Sequence, residues 1–396
     1  MTRRRMRTVL AAAVAVSGLV IAACGGDNNA KSASTTAAAA TQTTAPAATS
    51  APAAATTPAP TKELARAPGF DGKTIKLGDI TALSGTPAVI GAQLAAGQDV
   101  FWKYYNAEHG GIAGKYPVQL VLEDNLYDAT TTVQKYNKMK DDVVMFSQVM
   151  GTAPTLALLP LLKADNIVAA PASQDAFWVR EQQLFPVIEP YQIDAINAMD
   201  YMMKEGGGQG KKVAVILQND VYGEAGLEGV QFAAQQLGFD VVAVPRFKVG
   251  DQDFTAQVKE LQNSGAEIVF AVALPTEFGK ILGTAATLGY TPQWIGQSPA
   301  WVDALLATPL KDYMASHVMI AAVGPQWGDP GVPEAVAFAK RVQTYKPDQT
   351  PNYYFSFGYY QAQATAQLLE KAVQLGSLDR KGIVAAMNSL DVLRFE

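Results

Sequence analysis

Side chains that could perform chemistry are few and scattered in this 396-residue chain. Its two histidines, His109 and His317, have no cysteine and no second histidine at the spacing of metal ligands, so the sequence predicts no metal site. No Gly-x-Ser-x-Gly segment provides a nucleophilic serine, and Gly206–Gly210 lacks the Lys-Ser/Thr pair of a phosphate-binding loop. We interpret the acidic pair Glu123-Asp124 as a solvated strand end rather than a cation site. The sequence therefore predicts no catalytic residue, metal or cofactor.

The only cysteine, Cys24, ends a segment typical of a bacterial lipoprotein signal peptide. Four arginines within the first seven residues precede an apolar run, Val9–Ala23, that is too short for a comfortable membrane span. Ile21-Ala22-Ala23 before Cys24 resembles a lipobox, in which small residues give a peptidase access to the backbone. Residues 1–23 are thus predicted to be cleaved and Cys24 to carry lipid. A single cysteine also excludes a disulfide framework.

Residues 24–68 are predicted to be a disordered tether. Ala30–Thr61 contains only Ala, Lys, Ser, Thr, Gln and Pro, so it cannot bury enough apolar surface to offset the entropy of ordering. By random-coil scaling this segment spans roughly 30 Å. Removing residues 1–23 deletes four arginines and no acid, which changes the formal charge from −5 to −9. That charge argues against nucleic acid as a partner, and it leaves the lipid as the only predicted contact with the membrane.

From Ile75 onward, short β-rich runs alternate with amphipathic segments, a pattern typical of a parallel sheet covered by helices. The first set of predicted strands is Ile75–Ile80, Val118–Glu123, Val143–Ser147 and Ile167–Ala170. A second set follows a glycine-rich break: Val213–Leu217, Val241–Phe247, Ile268–Ala273 and Gln293–Gly296. Two such sets predict an α/β protein of two doubly wound, Rossmann-like lobes rather than one long sheet.

The last part of the chain is predicted to return to the first lobe. It contains a strand at Val318–Ala322 and helices at Glu334–Tyr345 and Asn352–Gln374. We expect lobe 1 to comprise residues 74–190 and 318–396, with the final segment able to re-cross, and lobe 2 to comprise residues 191–317. Strands that cross between the lobes would act as a hinge.

Five segments, in this order and spacing, resemble periplasmic binding proteins of the branched-chain amino acid type, the solute-binding components of ABC importers. They are Gly78–Gly85, Asn106–Ile112, Glu123–Asp128, Asn219–Glu224 and Gly250–Phe254. One departs from the family's Asp-x-x-Tyr-Gly turn, because a single residue separates Asp220 from Tyr222. The resemblance covers Ile75 to Glu396. Relatives continue beyond that point with a β-rich segment, so we expect a C-terminal truncation or the loss of the last strands.

The resemblance implies the type I periplasmic binding protein fold, with a small-molecule solute held between the lobes at the carboxyl ends of the strands. The implied ligand-binding residues of the first lobe are Leu83, Ser84, Met150, Gly151, Thr152, Ala172, Ser173 and Gln174. Those of the second lobe are Tyr222, Leu274 and Ser298. Three rings near these segments could add bulk to the site, namely Phe177, Trp178 and Trp301.

Two departures from the family bear on the solute. Gln297-Ser298 stands where an acid usually binds the ammonium group of an amino acid, and Leu274 stands where a second tyrosine is common. Glu277 is placed a turn too far along to substitute. Because a buried ammonium without a counter-charge is costly and three rings add bulk, we expect an aromatic, amide-bearing or otherwise less polar solute rather than leucine.

Several local alternatives remain open. Ser84 could cap the first helix, and Thr152 could cap a helix starting near Pro154. Tyr222 could be an ordinary surface residue, Trp301 could simply pack under a loop, and Trp178 could flank the site without touching the solute. For the whole protein, the leading prediction is a monomer on the outer face of the bacterial membrane that delivers solute to an ABC permease and its ATPase. A ligand sensor for a signalling partner is the alternative, and an extracellular hydrolase is disfavoured.

Overall fold

A computed structural model describes residues 63–322 and 333–395 of the chain. The predictions made for residues 1–62, including the signal peptide, Cys24 and most of the tether, lie outside the described residues. None of the helices in the described ranges combines the length and the apolar character that crossing a membrane requires.

A first parallel sheet is built on the N-terminal strands, in the order β2-β1-β3-β4. These strands are β1 (Ile75–Thr81), β2 (Val118–Asp124), β3 (Phe146–Met150) and β4 (Ala169–Ala172). Parallel neighbours need a crossover connection, which is usually a helix. The crossovers here are α1 (Ala88–His109), α2 (Ala129–Met139) and α3 (Thr152–Asp165).

A second parallel sheet follows, in the order β10-β9-β8-β5-β6, with β7 also paired to β5. Its strands are β5 (Val213–Gln218), β6 (Val241–Ala243), β7 (Arg246–Phe247), β8 (Ile268–Val272), β9 (Gln293–Gly296) and β10 (Val318–Ile320). Its helices are α4 (Tyr191–Lys204), α5 (Val221–Leu237), α6 (Thr255–Ser264), α7 (Pro275–Thr287) and α8 (Lys311–His317). The predicted fold class, two parallel α/β lobes, is confirmed.

Two predicted strand positions needed correction. β3 occupies Phe146–Met150 rather than Val143–Ser147, and β4 occupies Ala169–Ala172 rather than Ile167–Ala170. In both cases the apolar residues before the strand are buried, and Val144 and Val168 already make backbone hydrogen bonds to the neighbouring strand, but regular pairing begins only at Phe146 and Ala169. The run predicted at Val241–Phe247 is divided into β6 and β7 at Pro245, which has no N–H to donate to a sheet.

The chain returns to the first lobe later than predicted. The boundary at residue 318 assigned Val318–Ile320 to lobe 1, whereas this strand pairs with β9 and packs on the core of the second lobe. The helices beyond residue 332 pack on the first lobe: α9 (Pro333–Tyr345), α10 (Tyr353–Gln374) and α11 (Arg380–Met387). The other predicted lobe bounds, 74–190 and 191–317, remain a proposal.

Helices α1 and α10 cross at two glycines. A Cβ atom on Gly97 would lie 2.1 Å from the carbonyl oxygen of Phe355, and one on Gly358 would lie 2.0 Å from that of Leu94. Only glycine permits so close an approach of two backbones. This contact fixes α10 against the first sheet and places its N-terminal end at the boundary between the lobes.

The lobes meet at the carboxyl ends of their strands. One cluster of buried apolar residues joins the second-lobe core, for example Val215 and Phe270, to Ala82, Met150 and Ala172 at the ends of β1, β3 and β4. The other two clusters cover the two faces of the first sheet. The described conformation is therefore one in which the lobes are in contact, with the predicted site residues at their boundary.

Candidate ligand-binding cleft

The loop after β1 is fastened to the end of β2. Asp124 accepts hydrogen bonds from the Leu83 backbone N–H at 2.9 Å and from the Ser84 hydroxyl at 2.6 Å. Ser84 does not cap α1, whose N-cap residue is Pro87. Its hydroxyl is exposed and already engaged, so Ser84 orients the loop and would have to exchange partners to bind a solute.

The turn from β3 into α3 carries the hydroxyl group of Thr152, which is without a hydrogen bond of normal geometry. Gly151 adopts φ +104°, a conformation that favours glycine, and it is the N-cap residue of α3. Thr152 is therefore the first residue of the helix rather than a cap for one starting near Pro154. Its Oγ1 is buried and makes no hydrogen bond of normal geometry, and it faces the Tyr191 hydroxyl. This hydroxyl and the N–H groups of the first helical turn could donate hydrogen bonds to an acceptor atom of a polar ligand group.

The residues after β4 connect the two lobes. The Gln174 carbonyl accepts a hydrogen bond from the Tyr191 N–H at 2.6 Å, and its side-chain oxygen accepts one from the Ser298 hydroxyl at 3.4 Å. Ser173 accepts a hydrogen bond from Trp178 Nε1 at 3.2 Å. Trp178 itself is buried in a first-lobe core cluster, so its contribution is to hold Ser173. Phe177 is 43% exposed and lies outside the buried boundary.

The second lobe contributes Tyr222, at the start of α5. Asp220 caps this helix by accepting hydrogen bonds from the N–H groups of Tyr222 and Gly223, which the shortened Asp-Val-Tyr-Gly spacing allows. The buried Tyr222 ring lies 4.8 Å from that of Tyr191, and its hydroxyl donates to the Ala273 carbonyl at 3.2 Å. Leu274, which follows, is buried and is the N-cap residue of α7.

Ser298 and Trp301 border a cavity of about 320 Å³ at the edge of the cleft, together with Tyr353 of α10. The Trp301 indole N–H donates to Asp303 at 3.0 Å. The hydroxyl of the neighbouring Tyr354, also on α10, donates to the Pro299 carbonyl at 2.7 Å and so bridges the lobes. Ser298 thus lies beside Gln174, and Trp301 lines the same cavity as Tyr353; their role in binding a solute stays a prediction.

Sequence reasoning missed several residues that the structure adds to this boundary. Four are tyrosines: Tyr127, Tyr191, Tyr353 and Tyr354. The ring of Tyr127 packs on Gly151, and its hydroxyl faces Gln218, Asp220 and Glu277 of the second lobe. Although Leu274 replaces the second tyrosine that is common in the family, the boundary between the lobes therefore still contains several phenol groups. The available signal was the position of Tyr127 and Tyr191 in the segments that follow strands β2 and β4.

The sequence analysis also missed one buried carboxyl group, that of Asp194, and placed another, that of Glu277, too far from the cleft. Asp194 of α4 is 4% exposed and accepts a hydrogen bond from the Ser298 N–H at 3.1 Å. Burial raises its pKa to about 7. Glu277 is fully buried near Tyr127, with Oε1 bonded to the Gly250 N–H and Oε2 without a partner, so it lies nearer the cleft than its place along the chain indicated. An acid therefore does lie next to Ser298, supplied by a different helix.

The geometry, with two parallel α/β lobes meeting at their strand ends around buried polar groups, agrees with what comparison finds. A family model described as periplasmic binding protein matches residues 74–395. The chain belongs to this family. It is 27% identical over 202 residues to a Leu/Ile/Val-binding protein homologue of Brucella melitensis, a match that spans 50% of this chain and about half of the relative, 53%.

Solved structures of similar fold cover more of the molecule. The structure of a fatty acid ABC transporter substrate-binding protein from Thermomonospora curvata has a TM-score of 0.78 and 25% identity to this chain. The match covers 83% of this chain and 85% of that protein. A branched-chain amino acid ABC transporter protein from Thermus thermophilus with bound valine has a TM-score of 0.71 and 20% identity, covering 81% and 84%. Proteins of this fold thus include one solved with bound valine and one named for fatty acid transport.

Proposed function

We propose that this protein is the extracytoplasmic solute-binding component of an ABC importer. It captures a small organic solute, an amino acid or a related amide or aromatic compound, between two lobes that close about a hinge. The family membership supports a binding protein, and the contact between the lobes supports closure. Affinity would then come from contacts that only the closed form makes, and the permease would recognise that form.

The observation that carries this proposal is the buried Thr152 hydroxyl at the start of α3, which faces the Tyr191 hydroxyl but makes no hydrogen bond of normal geometry. A buried hydroxyl without a partner costs about 1–3 kcal/mol. It is retained where the two lobes meet, facing Tyr191 and close to the Gln174–Ser298 contact. A solute that supplies the missing bond would recover that free energy, and this favours a ligand site over simple packing.

The proposal includes the attachment and the partners of the protein. Cleavage before Cys24 and lipidation of its thiol would hold a monomer on the outer face of the bacterial membrane, with residues 24–68 as the tether. The permease and ATPase would be the protein partners. Mass spectrometry of the membrane fraction tests the anchor, because a mature N-terminus at an acylated Cys24 is expected and an unprocessed or unmodified N-terminus would contradict it.

The binding function can be tested with one substitution. Thr152→Val removes the unpaired hydroxyl while keeping the shape, so we expect thermal stability to stay the same or rise and solute affinity to fall about tenfold, the equivalent of one good hydrogen bond. A thermal-shift screen of amino acids, amides and aromatic compounds identifies the solute, and calorimetry measures it on both proteins.

Thr365→Val is the matched control. This buried threonine lies on α10, about three turns beyond Tyr354, and its hydroxyl bonds to the Gln361 carbonyl at 2.9 Å. Its replacement should leave affinity unchanged. Equal affinities for wild type and Thr152→Val would remove the support for this site. Uptake of the solute by a strain that lacks the protein then separates transport from sensing, since a sensor would leave uptake intact.

A further inference from the structure

The cavity of about 320 Å³ at the edge of the cleft has walls from both lobes. Ser298 and Trp301 follow β9, and Ile320 is the last residue of β10. Tyr353, the first residue of α10, faces them from the first lobe. Because each lobe supplies part of the wall, the cavity is complete only when the lobes are in contact.

The wall of this cavity is mainly apolar. Its large apolar side chains are those of Trp301, Leu306, Ile320 and Tyr353, and Leu306 is 44% exposed. Apolar side chains grouped around a partly open cavity are typical of a binding site. Asp303 is the one charged lining residue that the structure describes, and it is exposed, with its carboxylate accepting the Trp301 indole N–H at 3.0 Å. Its charge is therefore solvated and engaged.

The cavity adjoins the site proposed for the solute. The Tyr353 hydroxyl faces the side chains of Gln174 and Ser298. The Gln174 carbonyl accepts the Tyr191 N–H at 2.6 Å, and the Tyr191 hydroxyl faces that of Thr152. These contacts form a continuous chain from the cavity to the Thr152 hydroxyl. A solute whose polar group lies near Thr152 would therefore have this cavity as the nearest described space for an apolar body.

We propose that this cavity is a second subsite of the cleft, which receives an uncharged apolar body of the solute, a hydrocarbon chain or ring system larger than the side chain of leucine. The inference rests on the proposed function and specifies the solute class for it. An apolar cavity of about 150 Å³ holds one benzene ring, so this cavity has room for about two groups of that size. A leucine side chain would leave most of it empty.

Filling the cavity would also favour the closed lobes. An apolar body between Tyr353 of the first lobe and Trp301 of the second is removed from water by both lobes together. Each CH₂ group that is buried raises affinity about fourfold. Affinity should therefore increase with the length of the apolar body until the cavity is filled, and then stay constant as further carbons reach solvent.

The test uses butanamide, hexanamide and octanamide, which share an uncharged head group and differ in chain length. Isothermal titration calorimetry on the full folded chain compares them, and we expect each two added carbons to raise affinity about tenfold. Adipamate has the length of hexanamide and a carboxylate at its far end. It should bind at least tenfold more weakly than hexanamide, because the lining residues that the structure describes include no cation for that carboxylate.

Leu306→Trp fills the cavity with a larger side chain. Leu306 is partly exposed, so the replacement does not crowd the buried core. We expect the affinity for butanamide to stay the same and the gain from hexanamide to octanamide to be lost. Leu375→Trp is the matched control, since Leu375 is 51% exposed and lies about 33 Å along α10 from Tyr353. This variant should keep the gain. If Leu306→Trp proves unstable, the wild-type series with adipamate still decides the matter.

The inference is overturned if the three amides bind equally well, if none of them binds to the folded protein, or if adipamate binds as tightly as hexanamide. It is also overturned if Leu306→Trp keeps the full gain with chain length. These results leave the proposed function standing, because that depends on the solute screen and on Thr152→Val. Conversely, a gain with chain length that Leu306→Trp abolishes, in a protein indifferent to Thr152→Val, would support the cavity and count against the Thr152 site.

Discussion

At the scale of single residues, Asp79 in the middle of β1 is an acid in an unfavourable environment. It is fully buried and neither carboxyl oxygen has a hydrogen bond of normal geometry, although Gln148 lies beside it on β3. Burial raises the pKa of Asp79 from 3.8 to about 8, and the hydrogen-bonding contribution of Gln148 only partly opposes this. The side chain is therefore mainly protonated at neutral pH, in the sheet that supports the ligand loops.

This shift predicts how stability depends on pH. The folded state holds the Asp79 proton more tightly than the unfolded state does, so its contribution to the free energy of unfolding falls as pH rises from about 4 to about 8, by up to about 1.4 kcal/mol per pH unit. Asp79→Asn should remove this loss and be more stable than the wild type at pH 8, with little difference at pH 4. Urea unfolding at a series of pH values measures the difference. A constant offset between the two proteins across this range would contradict the prediction.

Strands could be predicted from the sequence, whereas the burial of single acids could not. The apolar run Val213–Leu217 identified β5 because it is buried on both faces, and Gln293–Gly296 was correct at both ends. Asp194 gave no such signal. An acid in the first turn of a helix ordinarily indicates a favourable interaction with the helix dipole at the surface, and only the packing of α4 against the Ser298 loop buries this one. Contacts between elements that are far apart along the chain cannot be derived from the local pattern.

At the scale of secondary-structure elements, the crossing of α1 and α10 is decisive because it sets where Tyr353 and Tyr354 stand. An alanine at position 97 would put its Cβ 2.1 Å from a backbone oxygen, which cannot move without moving α10. Gly97→Ala should therefore cost about 3 kcal/mol or more in the free energy of unfolding, despite the better helix propensity of alanine.

Gly283→Ala, inside α7, is the matched comparison for that prediction. Its added Cβ would lie 3.8 Å from a leucine side-chain carbon, an ordinary contact, so this variant should gain about 0.5–1 kcal/mol. Chemical denaturation of the three proteins measures both effects. Similar stabilities for the two alanine variants would show that the helices can separate at little cost, and that the crossing does not fix α10.

At the scale of the whole molecule, the question is what holds the two lobes together before a solute arrives. An apolar cluster joins the strand ends of the two lobes, and polar contacts join them as well, among them Gln174 with Ser298 and Tyr354 with the Pro299 carbonyl. The second is the shorter, at 2.7 Å, and its partners are buried. It joins the first-lobe helix α10 to the loop after β9, so it is formed only when the lobes are close.

Tyr354→Phe should therefore shift the molecule towards an open form without unfolding either lobe. Losing one buried hydrogen bond is worth about 1 kcal/mol, so the ratio of closed to open molecules should fall about fivefold, and the apparent solute affinity should fall by up to the same factor. Small-angle X-ray scattering without solute should give a larger radius of gyration than the wild type, and saturating solute should restore the wild-type value. Tyr201→Phe, at an exposed position on α4, should change neither quantity. An unchanged radius together with unchanged affinity would mean that apolar burial across the boundary, rather than this bond, sets the equilibrium between open and closed lobes.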